Sequence, residues 1–91
     1  MAIGVDSHKE TLAAAAVDEL GKRLEDRVFT NDREGHGKAI DWMNGLSEHR
    51  IIGVECSGSY GAALAWLLMD RGEDVHEVPP GETFREQPSP P

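Results

Sequence analysis

Two short segments of the chain share one pattern, an apolar run that ends in a single carboxylic acid. These are residues 3–6 (IGVD), ending in Asp6, and residues 52–55 (IGVE), ending in Glu55. Short apolar runs with β-branched residues are typical of buried strands. Ligands of open α/β sheets bind outside the carboxyl ends of the strands. If the two strands are adjacent and parallel, their ends lie about 4.8 Å apart.

Two carboxylates at that separation repel each other unless one is protonated or a cation lies between them. Hard oxygen ligands suit Mg²⁺ or Mn²⁺. A pair of such ions can activate an attacking oxygen and stabilise a leaving oxygen in phosphodiester chemistry. Asp6 and Glu55 are therefore the candidate metal-binding and catalytic residues. The alternative for each acid taken alone is a solvated turn residue.

The elements that would position these acids follow from hydrophobic periodicity and from turn residues. The predicted strands are 2–6, 11–17, 23–29, 50–55 and 74–78. The first predicted helix follows residues 30–32, and the second spans residues 60–71. Residues 11–17 are rich in alanine, which favours a helix by propensity, but seven residues between turns favour a strand by length. The order β-β-β-α-β-α-β predicts an α/β fold, a mixed sheet with helices on its faces.

Helix starts are marked by residues whose side chains can cap free backbone amides. Thr30, Asn31 and Asp32 offer N-caps for the first helix, and Glu34 completes a capping-box-like pattern three residues after Asn31. Ser59 is the predicted N-cap of the second helix.

Length and composition limit the functions that the chain can have. Ninety-one residues fit one small domain and exclude a large enzyme with separate substrate and cofactor domains. The single cysteine allows no internal disulfide and favours a cytoplasmic location. No apolar run approaches the roughly 18 residues of a membrane span, so no membrane partner is expected. The net charge of −8 is a poor electrostatic match for a nucleic-acid backbone.

The charge is concentrated near the C-terminus. Residues 70–91 hold six acids and two bases, a net charge of −4 that is half the total. Residues 81–91 also combine proline with few apolar side chains, which predicts a disordered acidic tail. The predicted folded domain is therefore 1–80.

Residues 3–9 (IGVDSHK) and 53–61 (GVECSGSYG) resemble the N-terminal domain of insertion-sequence-110-type transposases, and the resemblance covers about residues 2–80. It implies a RuvC-like, RNase H-like fold that binds Mg²⁺ or Mn²⁺ through four acids in the order Asp, Glu, Asp, Asp. Asp6 matches the first aspartate and Glu55 the glutamate. The resemblance further implies DNA strand cleavage and exchange, a structured guide RNA and a homo-oligomeric synapse.

The third and fourth acids of that family lie further along its sequence than this chain extends. The sequence therefore predicts a truncated N-terminal fragment, inactive alone, in which metal binding is weak or absent, and whether it is an enzyme stays open. His8, Lys9 and Tyr60 are candidate nucleic-acid contacts, with solvated turn positions and helix-start packing as the alternatives. The sequence assigns no role to His36, because no spacing between it and the other histidines is typical of a metal site.

Two other functional classes compete with a transposase domain. One is a non-catalytic module that pairs with a full-length transposase. The other is an actin-like nucleotide-binding phosphotransferase, in which a first strand also ends in an aspartate. That class needs glycine just after the aspartate, and residues 7–10 (SHKE) have none, so this alternative ranks last.

Overall fold

The five strands and two helices that a computed structural model describes within residues 1–55 and 59–79 follow the order predicted from the sequence. The strands are β1 (Ala2–Ser7), β2 (Thr11–Val17), β3 (Arg23–Thr30), β4 (Ile51–Glu55) and β5 (Val75–Val78), and the helices are α1 (Arg33–Asn44) and α2 (Ala62–Asp70). The sheet order is β3-β2-β1-β4-β5. β2 pairs antiparallel with both β1 and β3, and β4 pairs parallel with both β1 and β5. This confirms the predicted α/β class and mixed sheet, and it is consistent with an RNase H-like arrangement.

The alanine-rich segment Thr11–Val17 is a strand, as its length predicted. It lies between β1 and β3 and pairs with both, so its backbone groups are used in two ladders. The loop that follows turns at Gly21, whose φ of 82° lies in the left-handed region that favours glycine. The Asp18 carboxylate accepts hydrogen bonds from the amides of Leu20 and Lys22, both at 2.9 Å, which closes this hairpin.

The core lies on one face of the sheet. Alternate residues of β1, such as Ile3 and Val5, are fully buried on this face, whereas Gly4 and Asp6 point to the opposite face. Both helices contribute to this same core, so in the described part of the chain they lie on one face. The core cluster comprises Ile3, Val5, Leu12, Ala14, Ala16, Ile40, Met43, Ile52, Val54, Leu64, Ala65 and Leu68.

The start of α1 differs from the predicted capping box. Asp32, and not Asn31, is the N-cap, and its carboxylate accepts hydrogen bonds from the Gly35 amide and the Thr30 hydroxyl, each at 2.8 Å. These two bonds, the Gly35 bond first, hold the pKa of Asp32 below its ordinary value of 3.8. The side chain of Asn31 cannot cap the helix because it binds elsewhere, as described below.

The start of α2 also differs from its prediction. The helix begins at Ala62 with Gly61 as N-cap, and no side chain caps it, so the predicted cap at Ser59 and the predicted start at Tyr60 are wrong. Residues 59–61 form a turn instead, in which the Ala62 amide donates to the Ser59 carbonyl at 3.2 Å.

One sequence expectation, the disordered acidic tail at residues 81–91, lies outside the described residues. Neither described helix has the length and apolar character needed to cross a membrane.

Candidate metal centre

The two predicted acids lie side by side at the carboxyl edge of the sheet. β1 and β4 are parallel, and their register pairs Asp6 directly with Glu55. Register partners on neighbouring strands point to the same face, and parallel strands lie about 4.8 Å apart. Asp6 is 5% exposed and Glu55 is 7% exposed. The condition on which the sequence argument depended, two adjacent parallel strands that both end in an acid, is therefore met.

The three predicted nucleic-acid contacts lie around this edge. His8 follows Asp6 in the turn between β1 and β2, and its Nε2 atom lies 3.2 Å from Oδ2 of Asp6. Lys9 is exposed in the same turn. Tyr60 is 46% exposed in the turn before α2. All three residues are thus accessible near the paired acids.

Asn31 connects these turns, and the sequence did not predict this role. Its Nδ2 atom donates to the carbonyl oxygen of His8 at 2.7 Å and to that of Tyr60 at 2.8 Å. Its Oδ1 atom lies 2.7 Å from Nε2 of His36 on α1. Its backbone amide donates to the Glu10 carbonyl at 2.9 Å. Asn31 thereby joins β3, the β1–β2 turn, the start of α2 and helix α1.

A cavity of about 220 Å³ lies on the face that carries Asp6. Among the described residues, Gly4, Ala13 and Ala15 line it beside Asp6, and Arg23 and Asp26 of β3 line it as well. Its walls near Asp6 are short side chains, which leave open space beside this acid.

The donor set at this edge fits part of a divalent-metal centre. Two carboxylates are hard oxygen ligands that suit Mg²⁺ or Mn²⁺. In residues 1–55 and 59–79, however, no group of three or more His, Cys, Asp or Glu side chains is placed to hold a metal ion. Asp6 and Glu55 therefore fit as two ligands of a centre that needs further oxygen ligands.

A family model described as a transposase, of the DEDD type found in insertion sequence 110, matches residues 3–87. The chain belongs to this transposase family. The match extends past residue 80, where the sequence resemblance ended, and so includes part of the predicted tail. No curated protein is similar enough in sequence to count as a relative.

Comparison with solved structures shows a shared fold. The crystal structure of Pelota from Archaeoglobus fulgidus matches this transposase chain with a TM-score of 0.63 at 12% identity, over 85% of this chain and 25% of Pelota. A member of the Ppx/GppA family from Aquifex aeolicus matches with a TM-score of 0.45 at 10% identity, over 89% of this chain and 35% of that protein. The transposase chain therefore spans about a quarter to a third of these proteins, and only the fold is shared with Pelota.

The segment before α2 of the transposase chain packs closely against the strands that carry the acids. A Cβ atom on Gly61 would lie 2.9 Å from the Ser7 hydroxyl, 2.9 Å from Cγ1 of Val54 and 3.0 Å from the Glu55 carbonyl oxygen. The Ser7 side chain, next to Asp6 but on the opposite face, is 1% exposed and finds no hydrogen-bond partner among the described residues. Glycine at position 61 thus allows the start of α2 to approach both strands.

His36 is buried at the junction between α1 and Asn31. The residue is 7% exposed. Burial lowers the pKa of His36 below its ordinary value of 6.5, and the nearby Asp32 carboxylate opposes this shift. The neutral imidazole is therefore the stable form in the folded transposase chain, and its Nε2 hydrogen is donated to the Asn31 side chain.

The stability of the chain is expected to fall as the pH is lowered from 7 to 5. The unfolded chain binds a proton at His36 more readily than the folded chain, so protonation near pH 6.5 favours unfolding. Asp32 acts in a separate window, because its contribution is present above pH 3.8 and is lost only below it. Urea unfolding at pH 7 and pH 5 measures the difference.

The control is His36→Gln, which keeps an N–H donor for Asn31 but does not titrate. We expect its unfolding free energy to change less between pH 7 and pH 5 than that of the parent chain. An equal change in both proteins would show that His36 is not the titrating group.

Proposed function

We propose that Asp6 and Glu55 supply two ligands of a divalent-metal centre with which a transposase cleaves and joins DNA strands. The observation that carries this proposal is the direct register pairing of two buried acids at the carboxyl ends of parallel strands. Burying two like charges together is costly unless a cation or a proton compensates them. The register already directs both carboxylates to one face, where a divalent cation between them would provide such compensation.

When bound, Mg²⁺ or Mn²⁺ lowers the pKa of water or a hydroxyl and stabilises charge on phosphodiester oxygens. The chain's own part is to hold the cation at the sheet edge through Asp6 and Glu55. The family's pattern of four acids indicates that two more carboxylates complete the centre. Catalysis by these two acids without them is not expected, because phosphodiester chemistry of this type uses a pair of metal ions, which two carboxylates hold poorly.

DNA is the proposed substrate, and its path follows the exposed residues around the acids. His8 and Lys9 lie in one turn beside Asp6, where their side chains can approach a phosphate. The exposed ring of Tyr60 can stack on an unpaired base. A bound cation also offsets the local negative charge that would otherwise repel DNA. A guide RNA and a homo-oligomeric or full-length transposase partner are further proposals that rest on the family resemblance.

Calorimetric titration with Mn²⁺ tests the centre. We expect weak binding to the parent chain and none within the measurable range for Asp6→Asn or Glu55→Gln, because each change removes one of two charged ligands. The matched control is Glu77→Gln, which makes the same charge change on β5, where Glu77 is exposed and pairs with Val54 rather than with Glu55.

Unchanged Mn²⁺ affinity in both Asp6→Asn and Glu55→Gln would refute the proposed metal centre. Saturable binding of ATP without Mn²⁺ binding at these acids would favour the nucleotide-binding alternative. Binding to a full-length transposase that survives Asp6→Asn and Glu55→Gln, with no Mn²⁺ binding by the parent chain, would favour a non-catalytic module.

A further inference from the structure

We infer that Asn31 is a positioning residue for the candidate metal centre, because its side-chain amide binds the backbone of two turns that pack beside the acid-bearing strands. This inference rests on the proposed function. His8 lies two residues after Asp6, and Tyr60 lies five residues after Glu55. A single side chain thus binds the turn after β1 at His8 and the turn before α2 at Tyr60. The second turn reaches β4 at the next residue, since a Cβ atom on Gly61 would lie 3.0 Å from the Glu55 carbonyl oxygen.

Every polar atom of the Asn31 side chain is used. The two Nδ2 hydrogens go to the carbonyl oxygens of His8 and Tyr60, and Oδ1 accepts from Nε2 of His36. An amide has two donors on its nitrogen and acceptor capacity on its oxygen, so these three bonds satisfy both ends.

The orientation of the amide follows from its partners. Turning it over would place Oδ1 against two carbonyl oxygens, which cannot donate, and would remove both bonds to the turns. The buried, neutral His36 supplies the donor that keeps Oδ1 on the α1 side. His36 therefore orients Asn31, and Asn31 in turn orients the two turns.

Few other side chains can replace asparagine at this position. Aspartate has almost the same shape, but it places an oxygen where Nδ2 now donates, so it would repel the His8 and Tyr60 carbonyls. Alanine removes all three hydrogen bonds. Metal ligands must be held within about 0.5 Å of their productive positions, so loosening both turns should reduce affinity for the cation.

Mn²⁺ titration of the full chain provides the test, with Asn31→Asp and Asn31→Ala as variants. We expect the affinity to fall by roughly tenfold to a hundredfold, the usual effect of losing an outer partner of a metal ligand. The matched control is Asn44→Ala at the other end of α1, where Oδ1 accepts from Arg50 at 3.1 Å. Asn44→Ala should lower the stability of the fold and leave Mn²⁺ affinity unchanged.

Amide hydrogen exchange provides a second measurement that does not depend on metal binding. In Asn31→Ala we expect faster exchange at His8 and Ala62, whose amides close the two turns, while the central strands stay protected. Failure of the parent chain to bind Mn²⁺ would overturn the proposed function and the positioning role together, whereas the exchange data would still show whether Asn31 holds the turns. Unchanged exchange at both turns, or unchanged affinity in a parent chain that binds Mn²⁺, would overturn this inference alone.

Discussion

Replacing Gly35 with alanine is expected to destabilise the chain severely, whereas the same replacement at Gly37 should stabilise it. A Cβ atom on Gly35 would lie 1.7 Å from the carbonyl oxygen of Thr30 and 2.5 Å from its hydroxyl. Backbone atoms cannot move aside as the end of a long side chain can, so the connection between β3 and α1 would have to shift. We expect a loss of about 3 kcal/mol or more, the upper end of the overpacking range.

Gly37 is a matched control on the same helix. No heavy atom lies within 4 Å of a Cβ placed there. Alanine in a helix is more stable than glycine by roughly 0.5–1 kcal/mol, because glycine loses more backbone freedom on folding. Urea unfolding followed by circular dichroism measures both variants.

A drop in the unfolding midpoint of similar size in both variants would refute this explanation. Gly35→Ala should also weaken Mn²⁺ binding, because Thr30 precedes Asn31 and a shift of this connection moves the amide that holds both turns. Gly37→Ala should leave Mn²⁺ binding as it is.

The paired acids could be predicted from the sequence because their signal is local and repeated. Each Ile-Gly-Val segment marks a buried strand, and the acid that follows marks its carboxyl end. Placing the two strands side by side required only the general topology of α/β sheets. The pairing of Asp6 with Glu55 therefore follows from strand order and register, without any side-chain contact, whereas their metal-binding role stays a prediction.

Asn31 could not be predicted in the same way. Thr30, Asn31 and Asp32 are all good capping residues, and local sequence does not decide among them. The choice depends on carbonyl groups 23 and 29 residues away, which the fold brings to Asn31. Asp32, with no such partners, is left to cap the helix.

The same limit applies to glycine residues. In the sequence, Gly35 and Gly37 both simply weaken the first turns of a helix. Only the fold shows that Gly35 touches the backbone of Thr30 and that Gly37 has space around it. A glycine required by close packing and one that is dispensable have the same local signal.

Replacing Arg50 with alanine is expected to lower the free energy of unfolding by about 3 kcal/mol, the lower end of the cost of breaking a buried ion pair, because this pair is partly buried. The Arg50 side chain is 8% exposed, and that of its partner Glu73 is 19% exposed. The guanidinium binds the carboxylate through two bonds, Nε to Oε1 at 3.1 Å and Nη2 to Oε2 at 2.5 Å. Nη1 also donates to the Met43 carbonyl at 2.8 Å and to the Ser47 carbonyl at 3.2 Å.

These bonds explain why a single side chain has so large an expected effect. Arg50 immediately precedes β4, Met43 lies in the last turn of α1, and Glu73 lies between α2 and β5. The guanidinium thus connects the start of β4 with the end of α1 and with the loop between α2 and β5. This contact lies at the end of the sheet opposite the acids. Lysine cannot replace this bidentate contact, since an ammonium group lacks the planar fork of arginine.

The contrasting surface pair is Glu34 with Lys38 on α1, whose side chains are 77% and 67% exposed. Glu34→Ala should change stability by no more than about 0.5 kcal/mol, because exposed ion pairs are solvated and screened. Thermal unfolding and urea unfolding of Glu34→Ala and Arg50→Ala measure the loss of stability in each variant. Equal losses at positions 34 and 50 would contradict a role for burial.

A double replacement separates the two causes of the loss at position 50. Arg50→Met leaves the Glu73 carboxylate without its main partner, so much of its cost is the penalty of that stranded charge. Adding Glu73→Leu removes the stranded charge, and the double variant should be more stable than Arg50→Met alone. If the double variant is instead less stable by the sum of both single losses, the two side chains act independently and the ion pair does not hold this end of the fold together.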